Sequence, residues 1–180
     1  MSKIFVFSGA SGVGKSSALK RVMEARDDLR FSVSATTRAP RPGEKDGVHY
    51  FFVSKDHFNK MIEDRELLEY DEHHMNLYGT PVAQLRGDKH VILDIEPKGA
   101  AIVHRQRPDA TLIFIMPPSL EELERRLRGR GDTNEAQIRL RSERVQWEME
   151  QSKLYDYVVI NDQVEACADV ILKIIADTAD

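Results

Sequence analysis

Cysteine is nearly absent from this chain: Cys167 is the single one among 180 residues, so no internal disulfide can form and packing must hold the fold. Its place in an apolar helical pattern suits a buried thiol that packs rather than reacts. Apolar runs of membrane-spanning length are missing too, and the first residues lead straight into a strand pattern without an apolar leader, so a soluble, cytoplasmic protein with no membrane partner is expected. An excess of positive charge is lacking as well. With 26 Lys and Arg against 30 Asp and Glu, the formal net charge is −4, which argues against a nucleic-acid polymer as partner and leaves cationic chemistry to local clusters. The 6 histidines are scattered without metal-ligand spacing, so no zinc site is expected. Repeats and low-complexity tracts are absent, no obligate protein partner is evident, and the length suits one compact domain.

What is present begins at Ile4. Residues 4–8 read as an apolar strand, Gly9-x4-Gly14-Lys15-Ser16 follows, and Ala18, Leu19 and Val22 then recur at helical spacing. A glycine-rich turn between a strand and a helix is a phosphate-binding loop. Its glycines let successive N–H groups turn inward around a polyphosphate, and the helix adds the positive end of its dipole. Gly9, Ala10, Ser11, Gly12, Val13, Gly14, Lys15, Ser16 and Ser17 are therefore the expected nucleotide-binding residues. Lys15 supplies an ammonium for the β and γ phosphates, and the Ser16 hydroxyl a ligand for Mg²⁺.

Downstream, periodicity predicts a helix over 15–26, a strand over 31–34, a proline-broken loop over 35–43 carrying Arg38 and Arg41, and an aromatic strand over 48–53. Ser54 should cap a helix with Phe58, Met61 and Ile62 on one face. Short strands at 67–70 and 76–78 precede a helix near Pro81–Leu85, a strand at 90–94 and a helix around Ala100. The apolar run 111–116 reads as a strand buried on both faces. Ser119 and Glu122 form a capping box for the next helix, a charged helical segment spans 134–152, and a strand at 157–160 leads to a closing helix.

Strands alternating with helices after a phosphate loop predict an α/β fold, a P-loop NTPase-type doubly wound parallel sheet, with ligands at the carboxyl ends of its strands. The expected division is a core of 1–31, 82–124 and 154–180, a mainly β insertion over 32–81, and a helical lid over 125–153. Asp94 ends an apolar strand, where a carboxylate can meet Mg²⁺ or its water shell. Glycines at 129 and 131 flank Arg130 and suggest a movable lid, with Arg126 as a second cation. Arg38, Arg41, Tyr50 and Tyr78 offer the guanidinium forks and hydroxyls of a second anion site.

The run Ser34-Ala-Thr-Thr-Arg38-x2-Arg41-x-Gly43-Glu, with Tyr50, Glu69-Tyr70 and Tyr78-Gly79-Thr80, resembles the acceptor region of guanylate kinases. The likeness extends through Ile92-Leu-Asp94-Ile, Pro117-Pro-Ser119, Arg126-Leu-x-Gly-Arg130-Gly and Tyr155-Asp-Tyr-x-x-x-Asn161-Asp, nearly the whole chain. The resemblance implies that residues 32–81 bind GMP. Arg38, Arg41, Tyr50 and Tyr78 would hold its phosphate, and Ser34, Glu69 and Thr80 would read guanine. It further implies that Arg126, Arg130 and Arg141 surround the ATP phosphates, and that Lys15, Arg38, Asp94, Arg130 and Arg141 carry the chemistry. The implied reaction is MgATP plus GMP giving ADP plus GDP, a step of guanine nucleotide recycling, with deoxy-GMP as a further acceptor. Two departures stand out. Where the family often has Asp-Ile-Asp, a residue and Gln-Gly, this chain has Asp94-Ile-Glu96-Pro97-Lys98-Gly99, so Glu96 takes the place of an aspartate beside the guanine amino group. Arg141 is followed by Ser142 rather than the usual leucine. The alternative is a non-catalytic module of the same family binding phosphopeptides through the same arginines and tyrosines, which the intact phosphate loop disfavours.

Overall fold

The computed structural model describes residues 2–10, 12–73, 75–128, 143 and 145–179, with the backbone alone for Arg126 and Leu127. Its core is a five-stranded parallel sheet, β2-β7-β1-β8-β9, built from β1 (Ile4–Gly9), β2 (Leu29–Phe31), β7 (His90–Asp94), β8 (Thr111–Met116) and β9 (Tyr157–Ile160). Because side chains alternate along a strand, successive residues of β1 enter different cores. Phe5 and Phe7 pack with Leu19 and Val22 of α1 (Lys15–Ala25) and Ile171 and Ile175 of α5 (Val164–Ala179). Ile4 and Val6 pack on the opposite face with Ala100 and Val103 of α3 (Pro97–Gln106). Burying one such Phe or Ile contributes about 2 kcal/mol, and helices cover both faces, as the apolar run 111–116 requires. Cys167 lies in the first of these cores, where burial raises its thiol pKa to about 11.

The second sheet, β4-β3-β6-β5, is formed by β3 (Ala35–Thr36), β4 (Phe51–Phe52), β5 (Leu67–His73) and β6 (Asn76–Pro81), and has its own small core of Ala35, Phe58 and Met61. Phe58 and Met61 come from α2 (Lys55–Glu63), where the Ser54 hydroxyl accepts from the His57 N–H at 3.1 Å. Further on, α4 (Leu120–Arg128) starts with the Ser119 hydroxyl accepting from the Glu122 N–H, also at 3.1 Å, and residues 145–151 are helical. Among the described residues no helix is long and apolar enough to cross a membrane.

Several sequence-based expectations need correction. The strand expected at 31–34 is Leu29–Phe31, because Leu29 is the residue buried against the core while Phe31 is 39% exposed. Pairing ends at Ser32, and the Val33 N–H turns to the Gln84 side chain as the chain leaves for the second sheet. The aromatic strand expected over 48–53 shrinks to Phe51–Phe52, since Gly47 closes a turn by donating to the Tyr50 carbonyl. The loop expected over 35–43 begins with an internal strand, Ala35–Thr36, formed before the first proline interrupts it. Pro81 ends β6 with ψ 132° instead of opening a helix, because the Val82 N–H is held by the Glu66 carbonyl; only a 3-10 turn, Val82–Leu85, follows. The strands expected at 67–70 and 76–78 extend into an antiparallel hairpin, Leu67–His73 with Asn76–Pro81.

Candidate active site

The loop after β1 leaves the sheet at its carboxyl edge, beside the end of β7, where Phe7 pairs in register with Asp94. Gly12 and Gly14 take φ of 83° and 89°, left-handed values that a side chain would oppose. Gly14 is also the N-cap of α1, whose first turn carries no acidic residue, so the positive end of the helix is left for an external anion. The loop is braced from β9: the Asn161 side-chain amide donates to the Val13 carbonyl at 2.8 Å, while its own N–H donates to the Met116 carbonyl at 2.7 Å. The Lys15 ammonium pairs with the Asp94 carboxylate. Ser16 is exposed at the start of α1, and it borders with Asp94 a groove walled by Leu19, Met23 and Phe31. Ser17 is exposed beside it, and its N–H turns back to the Gly14 carbonyl.

Lys15 and Asp94 also line a cavity of about 320 Å³ shared with residues of the second sheet. Ser34, Tyr50, Glu69, Tyr78 and Glu96 line the rest of it, together with Gly99 and the tip of β5. The Tyr50 and Tyr78 rings meet edge to face at 6.0 Å. Beside them the Arg38 guanidinium is gripped by both Glu44 oxygens, at 2.9 and 2.8 Å, and lies over the Tyr50 ring at 5.4 Å. Glu44 raises the Arg38 pKa above its usual range, with Tyr78 adding to the effect. In return Arg38 first, and the Arg41 N–H second, bring Glu44 down to about 2. The Arg41 side chain is exposed, and its backbone N–H donates to Glu44 at 2.7 Å.

Glu69 is a buried carboxylate, 6% exposed. Burial pushes its pKa up, and the Thr80 hydroxyl, donating to Oε1 at 2.6 Å, pulls it back down. The other carboxylate oxygen lies against Gly99 in the first turn of α3. Glu96 is the N-cap of that helix, yet its side chain does not cap it.

Lys15, Ser34, Tyr50, Glu69, Tyr78, Asp94 and Glu96 thus surround one cavity, with Arg38 and Thr80 attached to its walls. Arg41 lies outside the lining. Ser11, Arg130 and Arg141 fall outside the described residues, as does the Arg126 side chain. Sequence reasoning gave no role to Glu44, Asn161 or Gly99. Glu44 could have been flagged by its spacing from the two arginines it serves, but Asn161 and Gly99 gain meaning only from the partners that the fold brings to them.

A family model described as guanylate kinase matches residues 1–178. The chain is 46% identical to a guanylate kinase of Halalkalibacterium halodurans over 176 residues, which covers 96% of this chain and 86% of that protein. It is also 46% identical to a guanylate kinase of Thermus thermophilus over 181 residues, covering 97% of this chain and 81% of the relative. The crystal structure of guanylate kinase from Anaplasma phagocytophilum superposes with a TM-score of 0.78 at 32% identity, over 98% of this chain and 85% of that one.

Proposed function

The chain belongs to the guanylate kinase family, and from that premise we propose how its cleft moves the γ-phosphoryl group of ATP to GMP, giving ADP and GDP. The difficulty is electrostatic: acceptor and donor are both anions, and the acceptor oxygen is already ionised, so no strong base is needed. Alignment and charge compensation carry the catalysis. On the donor side the loop N–H groups and the open end of α1 cradle the phosphates. Lys15 exchanges Asp94 for the β and γ oxygens.

On the acceptor side Arg38, Tyr50 and Tyr78 take the GMP phosphate, and Arg41 swings in from its exposed turn. Glu69 accepts from the N1–H and 2-amino donors of guanine, with Ser34, Thr80 and Glu96 completing the base site. Adenine offers an acceptor at N1, which would leave the buried carboxylate unpaired, a mismatch of roughly 10⁴ in discrimination where a site is built on such pairing. Arg126, Arg130 and Arg141 are assigned to the ATP phosphates as part of a lid over 125–153 that closes to exclude water. Residues 32–81 form the acceptor unit, and 1–31, 82–124 and 154–180 the core.

Mg²⁺ belongs to the same proposal. The Ser16 hydroxyl and the Asp94 carboxylate are hard oxygen donors facing one groove, which suits a cation that keeps most of its waters. They would hold it directly or through water, and when bound it supplies neutralising charge to the phosphates. A cytoplasmic setting fits a buried Cys167 that needs no disulfide partner.

The observation that carries this reading is the single cavity joining Lys15 and Asp94 to Tyr50, Glu69 and Tyr78. ADP release measured with GMP, AMP, CMP and UMP as acceptors tests it: GMP is expected to exceed each of the others by about 10³-fold or more in kcat/KM. Equal turnover of AMP would overturn the assignment of the base site.

A further inference from the structure

Gly99 is a helical residue with no backbone reason to be glycine. It lies in the first turn of α3, outside the positive-φ region. Alanine would be favoured there by propensity alone. What forbids a side chain is space: a Cβ on Gly99 would lie 2.6 Å from Glu69 Oε2 and 3.2 Å from Glu69 Cδ, and the next neighbour, Ile95 Cδ1, is already at an ordinary 3.5 Å. The obstruction comes from Glu69 alone.

Glu69 has little room to retreat. Its Oε1 is fixed by the Thr80 hydroxyl at 2.6 Å. Its strand is held in antiparallel pairing with β6, Glu69 opposite Thr80 and Tyr70 opposite Gly79. Burial leaves the cavity as the open direction, and that is the space a base would occupy. We propose that Gly99 is a positioning residue for guanine recognition: the missing side chain forms the slot that holds the Glu69 carboxylate back at the cavity wall, with Thr80 as the second stop. The inference rests on the proposed base-reading role of Glu69 and deepens it.

The test compares Gly99→Ala, Glu69→Ala and the double variant of the full chain by GMP and ATP kinetics and by thermal denaturation. Gly99→Ala is expected to lower kcat/KM for GMP about 10²-fold, as a displacement of about 1 Å does in a positioned site, with KM for ATP within a factor of about two and a lowered Tm. In the Glu69→Ala background the same change should cost nothing further in GMP kinetics, and Tm should rise as helix propensity reasserts itself. A variant that fails to fold with Glu69 present but folds without it supports the proposal equally. Unchanged GMP kinetics in Gly99→Ala, or equal losses in both backgrounds, would overturn it. The underlying reading fails separately: if Glu69→Ala keeps the preference for GMP over AMP, the base-reading role falls, whereas loss of that preference alongside a neutral Gly99→Ala removes the glycine inference alone.

Discussion

The donor and acceptor ends of the cleft are built by different means. The proposed donor end is one continuous stretch of sequence from Gly9 to Ser17, offering backbone N–H groups, two left-handed glycines and a helix terminus, braced by the distant Asn161. The acceptor end collects side chains from the segments around Ser34, Glu44, Tyr50, Glu69, Tyr78 and Glu96 onto one cavity and its walls. A polyphosphate needs positive charge and N–H donors, which a short loop can carry by itself. A base needs directional partners at fixed places, and only a folded framework supplies them. Both ends hold their resting cation against a carboxylate, Lys15 on Asp94 and Arg38 on Glu44, so the proposed reaction requires each pair to open or be shared when phosphate arrives.

The comparison breaks most sharply at Lys15. Lys15→Ala is expected to lower kcat about 10³-fold, the scale of removing one preorganised stabiliser of developing charge. Because the pair with Asp94 is partly exposed, at 20% and 35%, Tm should hardly move. Turnover that survived this change would remove the loop from the chemistry. Arg38→Met comes next. It should raise KM for GMP about 10²-fold, the scale of a lost charge-assisted contact, while KM for ATP stays put. If both constants rose together, the two ends would not be separable sites.

How much was legible beforehand follows the same division. The loop, β1, α1, β7, β8 and the closing helix could be read from spacing, because apolar periodicity and glycine placement are local properties. The strand expected at 31–34 lies two residues earlier, as β2 at the edge of the first sheet, because burial of Leu29 sets it. In the second sheet the one expected at 48–53 shrinks to β4, because β3 and β4 are two residues each and are defined by their partners rather than by their own pattern. Arg38, Arg41, Tyr50 and Tyr78 suggest an anion site by their chemistry alone, but Ser34, Glu69 and Thr80 are named as base readers only through a family resemblance, since no spacing rule links Glu69 to Thr80. The Asn161 brace and the Gly99 slot had no local signature at all.

Acid separates the ends more gently. In the proposed reading GMP needs Glu69 ionised, and burial holds the folded pKa of Glu69 above the ordinary 4.5. As pH falls into that window, KM for GMP should rise while KM for ATP holds. The stability contribution of the same group has the opposite sign: a raised folded pKa favours the protonated native state, so this contribution is present below 4.5 and lost as pH rises through the folded value. Glu44 behaves conversely. Its folded pKa near 2 gives stability present above 4.5 and lost as pH falls from there toward 2. Kinetics and thermal denaturation between pH 3 and 8, with Glu69→Gln and Glu44→Gln as references, would expose the two opposed slopes, and parallel slopes would refute the assignment.

The smallest expected effect sharpens the comparison by leaving the chemistry alone. Ser54 caps α2 through the 3.1 Å bond from the His57 N–H, and Ser54→Ala should cost about 1 kcal/mol, a fall in Tm of roughly 2–4 °C for a chain of this size. The loss is local, because α2 delivers Phe58 and Met61 to a small core that serves only the second sheet. If the acceptor unit opens on its own, amide exchange should speed up along β5 and β6 while β1 and β8 keep their protection. kcat should stay unchanged and KM for GMP should rise less than about twofold, since β3 still carries Ser34 to the cavity wall. Equal acceleration in both sheets would mean that the two regions share one cooperative unit, and the acceptor end would then be a wall of the core rather than a body that closes onto it.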